Sequence, residues 1–299
     1  MILVVGGTGR LGGAITLALL AQGRNVRILL RENSPSARLA PQGMATAAET
    51  LIAAGAQPAS GDLKDRASLD AACAGVDTVL TTATSALRGG EDNFDSVDRR
   101  GLQSLIDAAA AAGVQRFIFT SAARSDPSHP HPLFRAKGQT EAALRASGLD
   151  YTILKPGVFM ETWLGAVIGA PLRAGQPVTL VGEGKTRIAF VSANDVLAYA
   201  VAAVDHPAAR NAEIWIGGAA PASYSEAVEA AGRALGRPVP VRTVQPGEPL
   251  PLLPETMAQL LASMETGPDQ FIDMSQTAAV FGIEPTSLEA FAAQFFGGK

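Results

Sequence analysis

The sequence predicts an α/β protein built on a doubly wound parallel sheet of the Rossmann type, with a smaller, interleaved substrate domain toward its C-terminus. Three observations carry that prediction. The chain opens on a continuous aliphatic run, Ile2-Leu3-Val4-Val5, without the apolar–polar alternation of a half-exposed strand, so this strand is read as buried on both faces. A glycine-rich turn, Gly6-Gly7-Thr8-Gly9-Arg10-Leu11-Gly12, follows at once and leads into a helical pattern from Leu11 to Ala21. The strand-then-helix alternation then repeats, and parallel neighbours need such crossovers to be joined.

In chain order, Val26 to Leu30 is a strand, Thr46 to Ala54 a helix and Gln57 to Ser60 a strand. Ser68 to Ala72 reads as a helix, Thr78 to Thr81 as a strand, Asp95 to Ala112 as a long helix and Phe117 to Thr120 as the next buried strand. The alanines of Ala108 to Ala112 need no explanation beyond high helix propensity. Past residue 156 the pattern loosens into Pro, Gly and short segments. Helices are expected at Ala193 to Val204, Tyr224 to Leu235, Leu252 to Ser263 and Leu288 to Phe296, and short strands near Val178 to Val181 and Ile214 to Ile216. We therefore expect a dinucleotide-binding domain over 1–155 and a smaller substrate-side domain over 156–299 that returns to the sheet at about 188–204.

The 299 residues are 47% hydrophobic and 17% charged, with a net charge of −4, which fits an ordinary cytoplasmic globular protein and leaves no basic footprint for nucleic acid. Cys73 is the single cysteine, so neither an intrachain disulfide nor a thiolate metal cluster is available. No basic leader precedes Met1 to Val5, and stretches such as Trp163 to Leu172 are short and interrupted by Gly169 and Pro171, so neither a secretory leader nor a membrane span is expected. No Gly-x-Ser-x-Gly elbow and no full Gly-x4-Gly-Lys-Ser/Thr phosphate loop occurs, which removes the nucleophile of a hydrolase and the Mg²⁺ site of an NTPase.

Ligands of open α/β sheets sit at the carboxyl ends of the strands. At the first of these, Gly6 allows the turn, Gly9 lets the backbone approach a pyrophosphate and Gly12 lets the helix pack on the strand, with Thr8, Arg10 and Leu11 completing the loop. The phosphates would lie against free N–H groups at the positive end of the helix dipole. At the end of the second strand stands Arg31, with Glu32 beside it and Arg38 nearby. A forked, planar guanidinium suits a 2′-phosphate, so NADP(H) is expected over NAD(H). After the third strand, Asp62 is placed to accept from the adenine amino group while Leu63 packs on the ring. After the fourth, Thr82, Ala83 and Thr84 offer small residues and hydroxyls beside the adenosine ribose. Arg88 to Glu91 form a polar turn.

Val4-Val5-Gly6-Gly7-Thr8-Gly9-Arg10-Leu11-Gly12, Arg31, Gly61-Asp62-Leu63, Phe117-Ile118-Phe119-Thr120-Ser121, Lys137 with Glu141, and Tyr151-Thr152-Ile153-Leu154-Lys155-Pro156-Gly157-Val158-Phe159-Met160-Glu161 together resemble the NmrA-like group of atypical short-chain dehydrogenases/reductases. So does Val191-Ser192-Ala193-Asn194-Asp195-Val196. The resemblance covers about two thirds of the chain. It implies an NADPH-binding fold and, in many members, reduction of quinones, dyes or plant phenolics; other members bind the dinucleotide as redox-sensing regulators.

Tyrosine-dependent relatives use Tyr-x-x-x-Lys, in which the lysine lowers the tyrosine pKa for general-acid work. Here Leu133 stands four positions before Lys137, and the usual serine falls on Ala122 or, with a one-residue shift, on Ser121. The resemblance thus assigns Lys137 to the nicotinamide ribose and the reacting group, and Pro156 and Val158 to the backbone beneath the nicotinamide. Phe159, Met160 and Trp163 follow, either as a roof for a flat aromatic substrate or as plain core. His129 and His131 lie in a proline-rich loop that resembles an active-site edge; the loop is too constrained to converge on a metal, and either imidazole is a candidate proton donor. These residues predict an NADPH-dependent reductase of a quinone-like acceptor, the alternative being a catalytically silent NADP(H) sensor. No metal is expected, and monomer and homodimer both stay open.

Overall fold

The computed structural model describes residues 1–31, 47–86 and 92–298, so Glu32, Arg38 and the turn from Arg88 to Glu91 lie outside the described residues. The chain divides into two units, Met1–Lys155 with Leu197–Ile214, and Pro156–Val196 with Trp215–Lys299. The segment Leu197–Ile214, which returns to the first unit, overlaps the range 188–204 and runs on into the strand Ala212–Ile216, which the sheet takes up at its edge.

The first unit runs β1 (Ile2–Val5), α1 (Arg10–Ala21), β2 (Val26–Leu30), α2 (Ala47–Ala53), β3 (Gln57–Ser60), α3 (Arg66–Cys73) and β4 (Thr78–Thr81). A π-helical segment, Phe94–Gly101, then leads into α4 (Leu102–Ala111), β5 (Arg116–Thr120), α5 (Pro132–Ala146) and β6 (Asp150–Pro156). Among the described residues, seven strands form one sheet in the order Ala212–Ile216, β6, β5, β4, β1, β2, β3. The pairs β1/β2, β1/β4, β2/β3, β4/β5 and β5/β6 are all parallel. Strand order reverses between β1 and β4, and this switch point opens a crevice at the carboxyl edge.

Why these residues form these elements follows from burial. β1, β4 and β5 are buried at every position, as a run without alternation requires. Phe117 and Phe119, wholly buried, pack with Leu3, Leu69, Leu102 and Leu105. Each such ring contributes about 1.5–3 kcal/mol by leaving water. β3 is the exception: Gln-Pro-Ala-Ser is largely exposed and sits at the sheet edge, the one place where Pro58, lacking an N–H, costs no ladder bond. The helix expected over Asp95 to Ala112 is divided. Asn93 and Ser96 form a capping box that starts the π-helical part, and a Cβ on Gly101 would lie 2.9 Å from the Cβ of Leu63. Cys73 is buried at the end of α3, and burial pushes its thiol up to about 11, out of the reactive range.

In the second unit, Val178–Val181 pairs in parallel with Val241–Val244, and Val158–Phe159 with Phe190–Val191. Its core gathers Met160, Leu164, Ile168, Phe190 and Tyr224. Ser223 and Glu226 make the capping box of the helix Tyr224–Leu235, which ends at Gly236 with φ +66°. Two buried oxygens, Tyr224 Oη and Glu265 Oε1, have no hydrogen-bond partner among the described residues, and burial pushes the Glu265 carboxyl up to about 7.

Candidate functional site

The glycine loop is fixed by close approach. Gly6 has φ +91°, and a Cβ there would lie 2.8 Å from Thr82 Oγ1 and 2.9 Å from the Ala83 nitrogen. A Cβ on Gly12 would lie 2.3 Å from the Gly6 oxygen and 2.7 Å from Thr82 Oγ1. Both glycines are therefore required for β1, α1 and the end of β4 to meet. The Gly9 N–H donates to the Gly6 oxygen at 2.9 Å and closes the turn. No side chain caps α1 and no acid occupies its first turn; Arg10 stands there instead, exposed. An uncapped N-terminus with a cation added is electrostatically suited to an anion. Thr8 and Leu11 flank it, half-buried.

Arg31 at the end of β2 is held by acids. Its Nη1 is 2.6 Å from Asp92 Oδ2 and 4.0 Å from Asp62 Oδ2, while Lys64 Nζ donates to Asp92 Oδ1 at 2.9 Å. Burial alone would raise the Asp92 carboxyl, but the hydrogen bonds from Lys64 and Arg31 outweigh it and hold it below the usual range. Neither Lys64 nor Asp92 was legible as a site residue. No local motif marks them, since β2, the turn after β3 and the approach to the π-helical segment meet only in space.

At the end of β3, Asp62 Oδ1 accepts the Lys64 N–H at 2.8 Å, forming its own turn. Leu63, expected to pack on the adenine ring, is 8% exposed and packs in the core against Gly101, supporting the loop from beneath. The Thr82 N–H extends β1 by donating to the Val5 oxygen at 3.0 Å. Ala83 is buried and Thr84 Oγ1 accepts from the Ala86 N–H at 3.2 Å.

On the other side of the switch point, Lys137 is buried, with Nζ donating to the Thr120 oxygen at 3.0 Å and lying 5.1 Å from the Phe119 ring centre. Burial lowers its pKa, against the opposing pull of Asp98 and Glu141. Leu133, one turn earlier, is half-buried and brings no proton. Gly138 beside Lys137 is required by the loop above it: a Cβ there would lie 2.3 Å from the Asp126 carbonyl carbon. A glycine inside a helical pattern is the signal that could have found it.

Ser121 Oγ donates to Glu141 Oε1 at 2.5 Å and sits 3.0 Å from Ser125 Oγ. Glu141 also receives Lys155 Nζ at 2.9 Å and Arg145 at 3.0 Å. Ser121, the residue on which the usual serine falls with a one-residue shift and a candidate substrate contact, thus joins a buried ion-pair network. His131 Nδ1 accepts from the Leu133 N–H at 3.3 Å and caps α5, and His129 Nδ1 accepts from the His131 N–H at 3.0 Å. Accepting at Nδ1, a neutral imidazole carries its proton on Nε2. Burial lowers the pKa of both rings.

In the second unit, Pro156 is buried, while Val158, Phe159 and Trp163 are half-buried. Met160 is 1% exposed and belongs to the core, so of the three candidate roof residues it is the one turned inward. Gly157 is required by the Ala189 carbonyl, whose oxygen would lie 2.0 Å from an added Cβ. Glu161 accepts from Ser192 Oγ at 3.0 Å and from the Ala193 N–H at 2.9 Å, which caps the helix Ala193–Ala202. Among the described residues there is no group of three or more His, Cys, Asp or Glu able to hold a metal ion, and no helix long and apolar enough to cross a membrane.

The family model described as NmrA-like family matches residues 1–292. The NAD(P)H azoreductase of Xenophilus azovorans is 33% identical over 239 residues, 80% of this chain and 75% of that protein. The photosystem II assembly factor Ycf39 of Synechocystis is 28% identical over 314 aligned residues, 99% of this chain and 90% of that protein. Among solved structures, the quinone oxidoreductase QOR2 of Escherichia coli complexed with NADPH superposes with a TM-score of 0.78 at 23% identity, covering 99% of this chain and 100% of that one. The triphenylmethane reductase of Citrobacter gives 0.79 at 20% identity, with 99% of each chain covered. At these identities the two superpositions establish the fold.

Proposed function

Because this chain belongs to the NmrA-like family, we propose that it is a cytoplasmic NADPH-dependent reductase whose acceptor is a quinone or another conjugated, electron-poor small molecule. The observation that carries the reading is Lys137, buried with a hydrogen bond to the Thr120 oxygen, one turn after a leucine where tyrosine-dependent relatives carry their acid. The dinucleotide fits the residues present: the space beside Gly6 and Gly12 and the uncapped start of α1 suit a pyrophosphate, and Arg31 suits a 2′-phosphate.

When bound, NADPH supplies the hydride. The chain's own residues position and stabilise. Thr8 to Gly12 would hold the pyrophosphate, with Asp62 and Thr82 to Thr84 on the adenosine half. Lys137 would hold the ribose hydroxyls, and its charge would favour the negative charge that develops on an acceptor oxygen. An electron-poor ring that accepts hydride becomes phenolate-like and takes its proton from solvent, so no tyrosine is required. In the second unit, Pro156 and Val158 are assigned to the nicotinamide and the half-buried Phe159 and Trp163 to the acceptor. The relatives whose names record azo-dye, quinone and dye reduction support that acceptor class.

A second reading is favoured by one comparison: Ycf39 proteins, similar over nearly the whole chain, are named as assembly factors. In that reading the same crevice binds NADP(H) without turnover. Loss of NADPH absorbance across a panel of quinones and dyes separates the two. Turnover on at least one acceptor is expected; tight NADPH binding with no turnover on any overturns the reductase reading.

A further inference from the structure

The end of β2 holds more chemistry than one arginine. One carboxylate, Asp92, bridges two cations from different segments, with Oδ2 on Arg31 at 2.6 Å and Oδ1 on Lys64 at 2.9 Å. Its side chain is 10% exposed, against 23% for Arg31 and 38% for Lys64, so the acid is the covered member and its cations face outward. Two oxygens on two donors, one a guanidinium and one an ammonium, is the arrangement a phosphate monoester would make with the same pair.

We propose that Arg31 and Lys64 together form the 2′-phosphate site, and that Asp92 occupies it in the free protein and thereby sets the preference between NADPH and NADH. This rests on the reading of Arg31 as the phosphate-selecting cation. A phosphate monoester brings between one and a half and about two negative charges at neutral pH. Set beside a carboxylate that already neutralises both cations, that charge is repelled unless Asp92 withdraws. Asp62, 4.0 Å from Arg31, adds to the repulsion. NADH carries a neutral hydroxyl at this position and leaves the Asp92 pairings in place. Asp92 therefore offsets part of the attraction that the two cations exert on NADPH and none of what they offer NADH. Lys64 becomes a binding residue in its own right, and the selectivity of the site depends on an acid on a different chain segment from either cation.

The test is the ratio of NADPH to NADH affinity, measured by titration of the full chain. Asp92→Asn is expected to raise the ratio by about tenfold, and Lys64→Met to lower it by about tenfold, each a change of about 1.4 kcal/mol. The two variants move in opposite directions, so the outcome stands even where one of them folds poorly. If Arg31→Ala lowers the ratio while Asp92→Asn and Lys64→Met both leave it within about threefold of the wild type, the bridging role is refuted and the cofactor reading stands. If Arg31→Ala leaves the ratio unchanged as well, the phosphate assignment itself falls.

Discussion

Replacing Gly12 with alanine sets two effects against each other inside one helix. Alanine is the better helix former, by about 1 kcal/mol. The added Cβ, however, would stand 2.3 Å from the Gly6 oxygen, where ordinary contact begins near 3.4 Å, and 2.7 Å from Thr82 Oγ1. Restoring contact distance moves the start of α1 by about an ångström, away from the turn proposed to hold the phosphates. Overpacking of this kind costs about 1–3 kcal/mol, and here the atom approached is backbone, which cannot rotate aside, so the upper part of that range applies and the net loss is about 1–2 kcal/mol. A displacement of about 1 Å at a positioning element lowers function by roughly a hundredfold. Gly13→Ala is the internal control: its Cβ would approach only the Gly7 oxygen, at 3.0 Å, and the propensity gain nearly balances the strain. Thermal unfolding and NADPH titration of the two variants decide the matter. If Gly12→Ala matches Gly13→Ala in both melting temperature and NADPH affinity, the steric account of the loop is wrong.

Three further outcomes follow from the same geometry. Lys137→Met should lower kcat/KM for quinone reduction by about a hundredfold or more, as loss of a preorganised charge does, and Lys137→Arg should not rescue it because a planar guanidinium does not reproduce the compact ammonium buried beside Phe119; steady-state kinetics at wild-type level in either variant would count against the assignment. Glu141→Ala strands Lys155, whose side chain is 5% exposed, without its main partner and should destabilise the fold by about 3–5 kcal/mol in urea titration, whereas Arg145→Ala, on the exposed side of the same carboxylate, should cost far less. Glu265 has a folded-state pKa raised from 4.5 to about 7, so its contribution is fully present below about pH 4.5 and is lost as pH rises through 7. Melting temperature should therefore fall between pH 5 and 8 in part through this group, and Glu265→Gln should flatten that slope; an unchanged slope would assign the dependence elsewhere.

Much of the first unit was legible because its strands are buried on both faces, and that burial writes itself as uninterrupted aliphatic or aromatic sequence. The ends of β2 and β4 and of β3, which carries no such signal but repeats the strand–helix spacing, could be placed from the pattern, and with them Arg31, Asp62 and Thr82. Side-chain direction was less legible. Leu63 was read as packing on a ring and Met160 as either a roof or plain core; both side chains are buried, and apolar residues beside a loop can anchor it from below. Residue type pointed to Ser121 as the aligned serine and to His131 as a candidate proton donor, and it could not show that one joins a carboxylate network and the other caps a helix through Nδ1. The Val241–Val244 strand, half of it polar, gave no periodicity to read. Asp92 and Lys64 were invisible for a different reason: an ion pair across 28 residues leaves no trace in the order of the residues.

The strand Ala212–Ile216 has a consequence for synthesis. It covers the outer edge of β6, yet it leaves the ribosome 56 residues after β6 is complete (212 − 156). Until then the nascent sheet presents an unpaired parallel edge, the kind of surface on which strands of other chains pair. The glycine loop and the strands on either side of it are made first, so the carboxyl edge of the sheet stands before that last strand arrives.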